Sequence, residues 1–391
     1  MKKDGKEALA AWLSREKWGL LLLAAAALLF AAALLLLRTD AEEGERPADY
    51  AEYEKGVVTA VLTDSTVQDE ASDGAWRGEQ LLLVEVQSGQ YAGKTLKVTN
   101  VVGPLYGVPL QVGDGASLIV NTYAGGDVRA TVYEYNRIPA LAALVVVFLL
   151  TAVLVGGKTG LKSLIGLAVT VLCLFWVLIP LLLRGAPTLP TVFLCCVYIA
   201  AVSFTILGGL HRKTVCAMLG TVAGVALALL FGLAAQSLAR ISGLRMSDVE
   251  PLLQLRQSGV PVGLRHLLVG GLTISALGAV MDVAMSISST LEEVHAANPG
   301  YGFRALFRSG MNIGRDMVGT MTNTLILAFL GSGFTLILYL SSLGLSRYQL
   351  LTSAYLAIEL IGGLSSSIGM ILAIPLTALI SAFSLRPKPE A

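Results

Sequence analysis

Eight apolar runs dominate this sequence, and each is long enough to cross a lipid bilayer. A transmembrane helix needs about 20 predominantly apolar residues. Hydrophobic residues make up 55% of the chain and charged residues only 14%, too few to give every run the polar outer face of a soluble helix. The runs lie at 19–37, 139–156, 162–183, 189–209, 214–236, 264–290, 317–343 and 351–382. The sequence therefore predicts an α-helical integral membrane protein with about eight transmembrane helices in a lipid bilayer.

The first run has the properties of a membrane anchor. Residues 1–38 are predicted to form a cytoplasmic N-terminus and an anchor helix, with Trp12 and Trp18 beside the run, as is common at membrane interfaces. A cleaved signal peptide would have a shorter apolar region followed by a small-x-small site. Because the best candidate for such a site is residues 39–41, an uncleaved anchor is favoured over a cleaved signal peptide.

Residues 39–138 are predicted to form a separate β-rich domain. Their composition changes to polar residues, glycines and short alternating stretches that are separated by turn-forming residues. The predicted strands are 56–62, 81–86, 95–99, 116–120 and 130–133. Five or six short strands in so few residues favour a small, OB-like closed β-barrel. The segment contains no cysteine, so it is not a disulfide scaffold, and a binding or structural role fits it better than catalysis.

Lysines and arginines in the short loops predict the orientation of the helices, because such loops are retained on the cytoplasmic side. One set of alternate loops and termini carries fourteen basic residues, and the other carries six. The fourteen are Lys2, Lys3, Lys6, Arg15, Lys17, Lys158, Lys162, Arg212, Lys213, Arg304, Arg308, Arg315, Arg386 and Lys388; the six are Arg184, Arg240, Arg245, Arg256, Arg265 and Arg347. Both termini are therefore predicted to be cytoplasmic, with residues 39–138 extracytoplasmic and residues 139–391 forming a seven-helix transmembrane domain.

Two connections between the runs are longer than simple turns. Residues 237–263, on the predicted outer side, contain glycines and prolines that fit a re-entrant or interfacial cap. Residues 291–315, on the predicted inner side, have Phe303, Leu306 and Phe307 at helical spacing, which fits a short interfacial amphipathic helix. An ordinary solvated loop is the alternative for this second connection.

Ionisable residues inside the apolar runs are the best candidates for a functional site. Each costs about 2.5–3.5 kcal/mol at the centre of a membrane helix, so function is the usual reason for keeping one. Asp282 lies near the middle of its run, and Ser275, Ser286, Ser289 and Glu293 fall on the same helical face. This face is predicted to point into protein or water rather than into lipid.

The next two runs also carry polar residues. Asp316, Thr320 and Asn323 form one stripe, and Glu359 lies in the last run. We predict that these helices share a polar interior, which would be a path for a cation, a proton or a substrate. The candidate path consists of Asp282, Ser286, Asp316, Thr320, Asn323 and Glu359. The alternative, hydrogen bonding that only holds the helices together, is favoured for the amide and the hydroxyls, and function is favoured for Asp282 and Glu359.

Several other classes of function lack support in the sequence. The net charge of +1 gives no strong field that would attract nucleic acid. Residues 156–159, Gly-Gly-Lys-Thr, lack the first glycine and the preceding strand of a phosphate-binding loop. The three histidines are too scattered for a metal cluster, and no zinc-protease or serine-hydrolase motif occurs. We therefore predict a non-enzymatic protein with no metal site, cofactor or nucleic-acid partner.

Two segments resemble a known family. Residues 278–287, GAVMDVAMSI, and residues 314–325, GRDMVGTMTNTL, are similar to segments of the YibE/F family of bacterial membrane proteins. The order of anchor, outer barrel and helical bundle is similar as well. The resemblance implies a multi-pass protein of a bacterial plasma membrane, and it implies no particular reaction.

Three functions remain open at this point. The preferred hypothesis is a transporter or permease component whose substrate is an ion or a small molecule. The second is a non-catalytic scaffold of the cell envelope, whose outer domain binds a partner protein or whose chain forms a homo-oligomer. The third, an aspartyl intramembrane protease, is disfavoured because neither Asp282 nor Asp316 lies in a Gly-x-Gly-Asp setting.

Overall fold

The computed structural model describes residues 51–123, 128–246 and 249–385. The predicted anchor, residues 1–38, lies outside the described residues. The described chain divides into two compact units. One contains the β-strands and extends to Ala152, and the other contains the helices from Val153 onwards.

The first unit is a closed, mixed β-barrel. Its strands are β1 (Ala51–Asp64), β2 (Val67–Asp69), β3 (Ala75–Val86), β4 (Thr95–Val102), β5 (Gly115–Thr122) and β6 (Val128–Tyr135). Strand β1 pairs with both β3 and β5, and β6 lies between β5 and β4, so five strands form a ring. The β4–β6 pair is parallel, and every other pair in the ring is antiparallel. All five predicted strands and their closure into a barrel are confirmed; the short β2, which forms a hairpin with β3, was not predicted.

Alternating side chains fill the barrel. In β3, Gln80, Leu82, Val84 and Val86 are buried, while the residues between them are partly or fully exposed. This is the two-residue period of a strand with one buried face. Gln80 is a polar exception inside the barrel. Its Oε1 accepts hydrogen bonds from Asn100 Nδ2 at 2.9 Å and from the Leu110 backbone N–H at 2.8 Å.

The remaining elements are helices, and the first of them begins before the Ala152 boundary between the two units. They are α1 (Ile138–Cys173), α2 (Ile179–Leu183), α3 (Thr188–Gly208), α4 (Arg212–Leu238), α5 (Glu250–Gln257), α6 (Leu267–Ala297), α7 (Phe303–Ser332), α8 (Phe334–Ser342), α9 (Arg347–Leu351) and α10 (Ala354–Leu385). A single π-helical stretch, Leu174–Leu178, joins α1 to α2. The predicted outer connection, residues 237–263, contains the short helix α5.

Five helical stretches of the described chain are long and apolar enough to cross a membrane, or six if the bent pair α7–α8 is one span. The first, Ile138–Leu183, has 46 residues, and the sequence had predicted two spans there. Its backbone leaves the helical conformation at Gly157, with φ 55° and ψ −134°. Helix α7 also differs from the prediction, because it begins at Phe303 and continues to Ser332. The expected interfacial helix within residues 291–315 is thus the first part of a longer helix.

Close contacts between small residues build the core of the helical unit. Helix α4 packs along α10, α6 packs against both of them, and α7 packs against α10 and α6. A Cβ atom at Gly224 of α4 would lie 2.6 Å from the Ala373 Cβ and 3.3 Å from the Gly369 carbonyl oxygen of α10. A Cβ at Gly310 of α7 would lie 2.9 Å from the Ala378 Cβ. The helix backbones therefore approach each other where glycine allows it, as is typical of membrane helix packing.

Candidate functional site

Asp282 lies on the side of α6 that faces away from the packed core. Val280, Ala284 and Ile287 of this helix are fully buried, whereas Asp282 and Ser286 are exposed. The two sets alternate with the helical period of 3.6 residues, because one face of α6 packs against α4 and α10. The predicted polar stripe therefore does lie on one face of the helix.

A partly open cavity of about 340 Å³ lies beside Asp282. It is bounded by three membrane helices, namely the second half of α1, α3 and α6. Its polar and small lining residues are Ser163, Gly166, Thr170, Ser203, Gly278 and Asp282. The remaining lining residues are aliphatic side chains and methionine. The cavity is thus an apolar space with one carboxylate and a few hydroxyl groups.

Two glycines line this space. A Cβ at Gly166 of α1 would lie 3.7 Å from the Ser203 Oγ of α3, an ordinary van der Waals distance. A Cβ at Gly278 would meet nothing within 4 Å, because this residue borders the open space itself. Gly278 also lies one helical turn before Asp282, and its missing side chain leaves room beside the carboxylate.

Asp282 has neither a basic neighbour nor a hydrogen-bond partner among the described residues, although carboxylates inside membranes usually have one. None of the described residues that line the cavity is basic. No hydrogen bond or ion pair joins Asp282 to another residue within the ranges that the structure describes. The described ion pair of α6 lies further along the helix, where Lys213 Nζ of α4 is 3.2 Å from Glu292 Oε2.

The second polar stripe lies on a different surface. Asp316, Thr320 and Asn323 are exposed on α7, on the face opposite Gly310 and Gly314, which pack against α10. The Thr320 hydroxyl donates a hydrogen bond to the Met317 carbonyl at 3.1 Å and does not bridge to another helix. None of these three residues lines the Asp282 cavity.

Glu359 lies at a break between two helices. Helices α7 and α8 form a 57° bend at Gly333. The half-buried Glu359 side chain of α10 packs against this glycine, and a Cβ at Gly333 would lie 3.2 Å from both the Cγ and Cδ atoms of Glu359. The missing side chain of Gly333 thus makes room for the carboxylate at the bend.

The structure does not gather the six predicted residues in one cavity. Of the six, Asp282 lines the cavity, Ser286 lies one turn further along the exposed face of α6, and the others lie on α7 and at the bend. Sequence reasoning missed Ser163, Thr170 and Ser203. Ser163 and Thr170 are seven residues apart, with Gly166 between them, and this spacing puts Ser163, Gly166 and Thr170 on one helical face.

Chemically, the cavity is suited to a small cation. Carboxylate and hydroxyl oxygens are the ligands that hard cations prefer. The described residues contain no group of three or more histidine, cysteine, aspartate or glutamate side chains that could hold a metal ion.

A comparison with known proteins identifies the family. The family model described as YibE/F-like protein matches residues 144–387, and this range includes all six residues of the predicted polar path. No curated protein and no solved structure matches the chain. The family match covers more than half of the 391 residues. The chain therefore belongs to the YibE/F-like protein family and is a multi-pass membrane protein.

Proposed function

We propose that this protein is a transporter or a permease component, and that Asp282 forms a binding site for a small cation inside the membrane. The observation that carries the proposal is the position of Asp282. Its carboxylate lines an open cavity between three membrane helices and has no partner within the described chain. An ionisable group in such a position is most often part of an ion or substrate pathway. The proposed role involves no covalent chemistry.

The alternative role of Asp282, holding helices together, has less support. A residue that joins helices needs a partner on another helix, as Ser288 has in the Lys213 carbonyl at 2.6 Å. Asp282 has no such partner among the described residues. An unpaired carboxylate in the membrane lowers stability and contributes nothing to packing. Its presence is better explained by a ligand that binds there.

The bend at Gly333 supports transport as well. Interrupted membrane helices are common in transporters, where the break supplies ligands or allows movement. Glu359 packs directly against the break between α7 and α8. We propose that Glu359 is a second ionisable group of the path, and that its protonation state is coupled to the angle between these helices.

For the membrane topology, we propose eight spans with both termini in the cytoplasm of a bacterial cell and the barrel outside. A straight helix of 46 residues would be about 69 Å long, more than twice the thickness of the hydrocarbon core. The break at Gly157 therefore supports two crossings between Ile138 and Leu183. The distribution of basic residues supports the orientation.

Cysteine labelling tests this topology. Thr95 of the barrel and Ala297 at the end of α6 are both exposed, and the four native cysteines are buried. In intact cells, a membrane-impermeant thiol reagent should label Thr95→Cys and should not label Ala297→Cys. Permeabilised cells provide the control, because both variants should then react. The reverse pattern in intact cells would exclude the orientation.

The strand order also supports an OB-like barrel. Without β2, the ring runs β1-β3-β4-β6-β5 and returns to β1, with one parallel pair between β4 and β6. The OB fold is likewise a small barrel of five strands. We propose that the barrel is a binding module, because OB folds present one face and two loops to their ligands.

A scaffold function is the second candidate, and exposed aromatic residues on the barrel favour it. Tyr53 and Tyr133 are both more than half exposed and form an edge-to-face pair with ring centroids 5.2 Å apart. Leu105 and Tyr106 are exposed in the connection after β4. Exposed aromatic and aliphatic side chains of this kind are common in protein interfaces.

Flux through purified protein tests the transport proposal. Liposomes that contain the full-length protein would be compared with protein-free liposomes for gradient-driven movement of H⁺, Na⁺, K⁺ and small organic cations. We expect saturable flux of at least one of them. If none moves, and photocrosslinking from Tyr53 or Tyr133 captures a specific envelope protein, the scaffold function replaces transport.

A further inference from the structure

A second cavity, of about 480 Å³, lies at the other end of α6 from its Glu292 contact with α4. It forms where α4 ends and α6 begins. Its polar lining residues are Gln236, Ser237, Arg240, Ser242, Arg265 and His266. No acidic residue is among the described residues that line it. The cavity therefore has a concentration of donors and positive charge that the Asp282 cavity does not have.

Two arginines in this cavity have no counterion among the residues that the structure describes. No hydrogen bond or ion pair involves the guanidinium group of Arg240 or of Arg265 anywhere in the described ranges. An arginine fork matches the oxygen atoms of a phosphate or carboxylate group, and both of these exposed arginines line the same cavity. The pair is therefore a candidate anion site.

The backbone at Arg240 is also unusual. Its φ angle is +51°, in the left-handed region that glycine normally occupies after the end of a helix. The Ile241 N–H donates to the Gln236 carbonyl at 3.1 Å, which closes the cap at the end of α4. An arginine in this conformation strains the backbone. Its side chain at the cavity is a reason for keeping it there.

Two polar atoms in the cavity wall lack partners. Gln236 is 6% exposed, and its Oε1 accepts no hydrogen bond, while its Nε2 donates to the Arg265 carbonyl at 3.0 Å. The Nδ1 atom of His266 is also buried without a partner. The backbone at the start of α6 needs no ligand, because a 3-10 turn, Leu264–His266, precedes the helix and the Leu267 N–H donates to the Leu264 carbonyl. A ligand with acceptor oxygens and a hydroxyl would satisfy the two side-chain atoms that lack partners.

We infer that this cavity binds a phosphate-bearing anion. The two guanidinium groups supply donors for phosphate oxygens. Gln236 Oε1 accepts from a P–OH group or from a hydroxyl of the same ligand. The chemistry is shared by free phosphate and by a phospholipid headgroup. Leu230 and Leu238 of α4 are exposed nearby in sequence, with Leu238 at 90%, and provide an apolar surface for acyl chains.

Ligand-dependent melting of the full-length protein tests this inference. Detergent-purified protein would be titrated with inorganic phosphate, with phosphatidylglycerol and with a phosphate-free glycolipid, while its melting temperature is recorded. A ligand that binds only the folded state raises the melting temperature. We expect phosphate or phosphatidylglycerol, or both, to raise it, and the glycolipid to have no effect. Stabilisation by phosphatidylglycerol alone identifies a lipid headgroup site, and stabilisation by both identifies a site open to free phosphate.

Three variants make the test specific. Arg240→Gly removes the guanidinium and relieves the backbone strain, so the protein should fold at least as well while its apparent affinity falls at least tenfold. Arg265→Gln should also weaken binding, whereas Arg347→Gln, which changes an exposed arginine that does not line the cavity, should leave it unchanged. Equal stabilisation of Arg240→Gly and the unchanged protein, or no stabilisation of the unchanged protein by either phosphate compound, would overturn the inference.

Discussion

The barrel and the helical bundle differ in how some of their buried polar side chains are satisfied. In the barrel, the buried Gln80 side chain is hydrogen-bonded through both its oxygen and its nitrogen. In the bundle, the buried hydroxyls of Thr221, Thr377, Ser365 and Ser381 have no partner among the described residues. Gln80 therefore acts through the hydrogen bonds it makes, and these four hydroxyl residues of the bundle act through their small size, although others, such as Ser288, do bond across helices.

This difference follows from the geometry of the two units. A barrel must hold the long connection between β4 and β5 against its end, and Gln80 does so by binding both the N–H and the carbonyl of Leu110. Helices satisfy their own backbone groups, so the bundle needs only side chains small enough for close approach. Specific hydrogen bonds should therefore matter most in the barrel, and side-chain volume should matter most in the bundle.

The largest expected effect is from added volume between α4 and α10. Gly224→Leu places a bulky side chain where even a Cβ would lie 2.6 Å from Ala373 and 2.8 Å from Val280 Cγ1. Overpacking by smaller groups already costs about 1–3 kcal/mol, so we expect loss of most folded protein from the membrane. Size-exclusion chromatography of detergent extracts would measure this loss. The control is Gly271→Leu, because a Cβ at Gly271 meets nothing within 4 Å; equal loss in both variants would contradict the account.

A smaller effect is expected when the barrel loses its polar anchor. Gln80→Leu replaces the polar side chain by an apolar one and removes the hydrogen-bond partner of the Leu110 N–H, which should cost about 1–3 kcal/mol. Residues 46–137 expressed alone should fold, because the barrel is a compact unit, and Trp76 would report urea unfolding of this fragment. Gln111→Leu, at an exposed position, should change stability by less than about 0.5 kcal/mol. If Gln80→Leu leaves the stability of the fragment unchanged, the proposed difference between the two units is wrong.

The same network predicts how the barrel responds to acid. Hydrogen bonds from Thr66 and from Gln80 lower the pKa of Asp64 below its ordinary value of 3.8. Because the pKa is lower in the folded state, the carboxylate stabilises the fold above pH 3.8, and this contribution is lost as the pH falls through the lowered pKa. Melting of the 46–137 fragment between pH 5 and pH 2 should therefore depend less on pH in Asp64→Asn. An unchanged pH profile would show that Asp64 does not contribute.

The smallest effect is expected from removal of a buried hydroxyl in the bundle. Thr377 is fully buried, and its Oγ1 has no hydrogen-bond partner within the described chain. Thr377→Val preserves the shape and removes an unsatisfied polar atom, so stability should stay within about 0.5 kcal/mol or increase. Detergent melting temperature measures this change. A large loss of stability would mean that the hydroxyl has a partner in the membrane and that the bundle also relies on polar contacts.

The sequence predicted the barrel strands and the polar helix face well because their side-chain patterns repeat every two to four residues. The five barrel strands followed from two-residue alternation, and the polar face of α6 followed from the spacing of Asp282 and Ser286. The three-residue strand β2 has too few residues to show a period, and it forms because a hairpin pairs it with β3. The continuous helix α7 was divided in the prediction because its charged first half differs in composition from its apolar second half.

The sequence did not predict contacts between distant segments. Whether Asp282 shares a cavity with Asp316 or with Ser203 depends on which faces of the helices pack together, and the positions of the glycines influence this packing. Ser203 and Asp282 are 79 positions apart in the sequence, and nothing in either segment indicates the other. The contact of Glu359 with Gly333 likewise depends on the bend between α7 and α8.

The central claim is that the Asp282 carboxylate binds the transported cation, and one substitution tests it most directly. Asp282→Asn replaces one oxygen by a nitrogen and removes the charge, so folding should be preserved while cation flux into liposomes falls at least tenfold. Asp316→Asn makes the same change on the exposed face of α7, outside the cavity, and should retain most of the flux. Membrane abundance and detergent melting temperature should match the unchanged protein in both variants. Full flux in Asp282→Asn would contradict the claim.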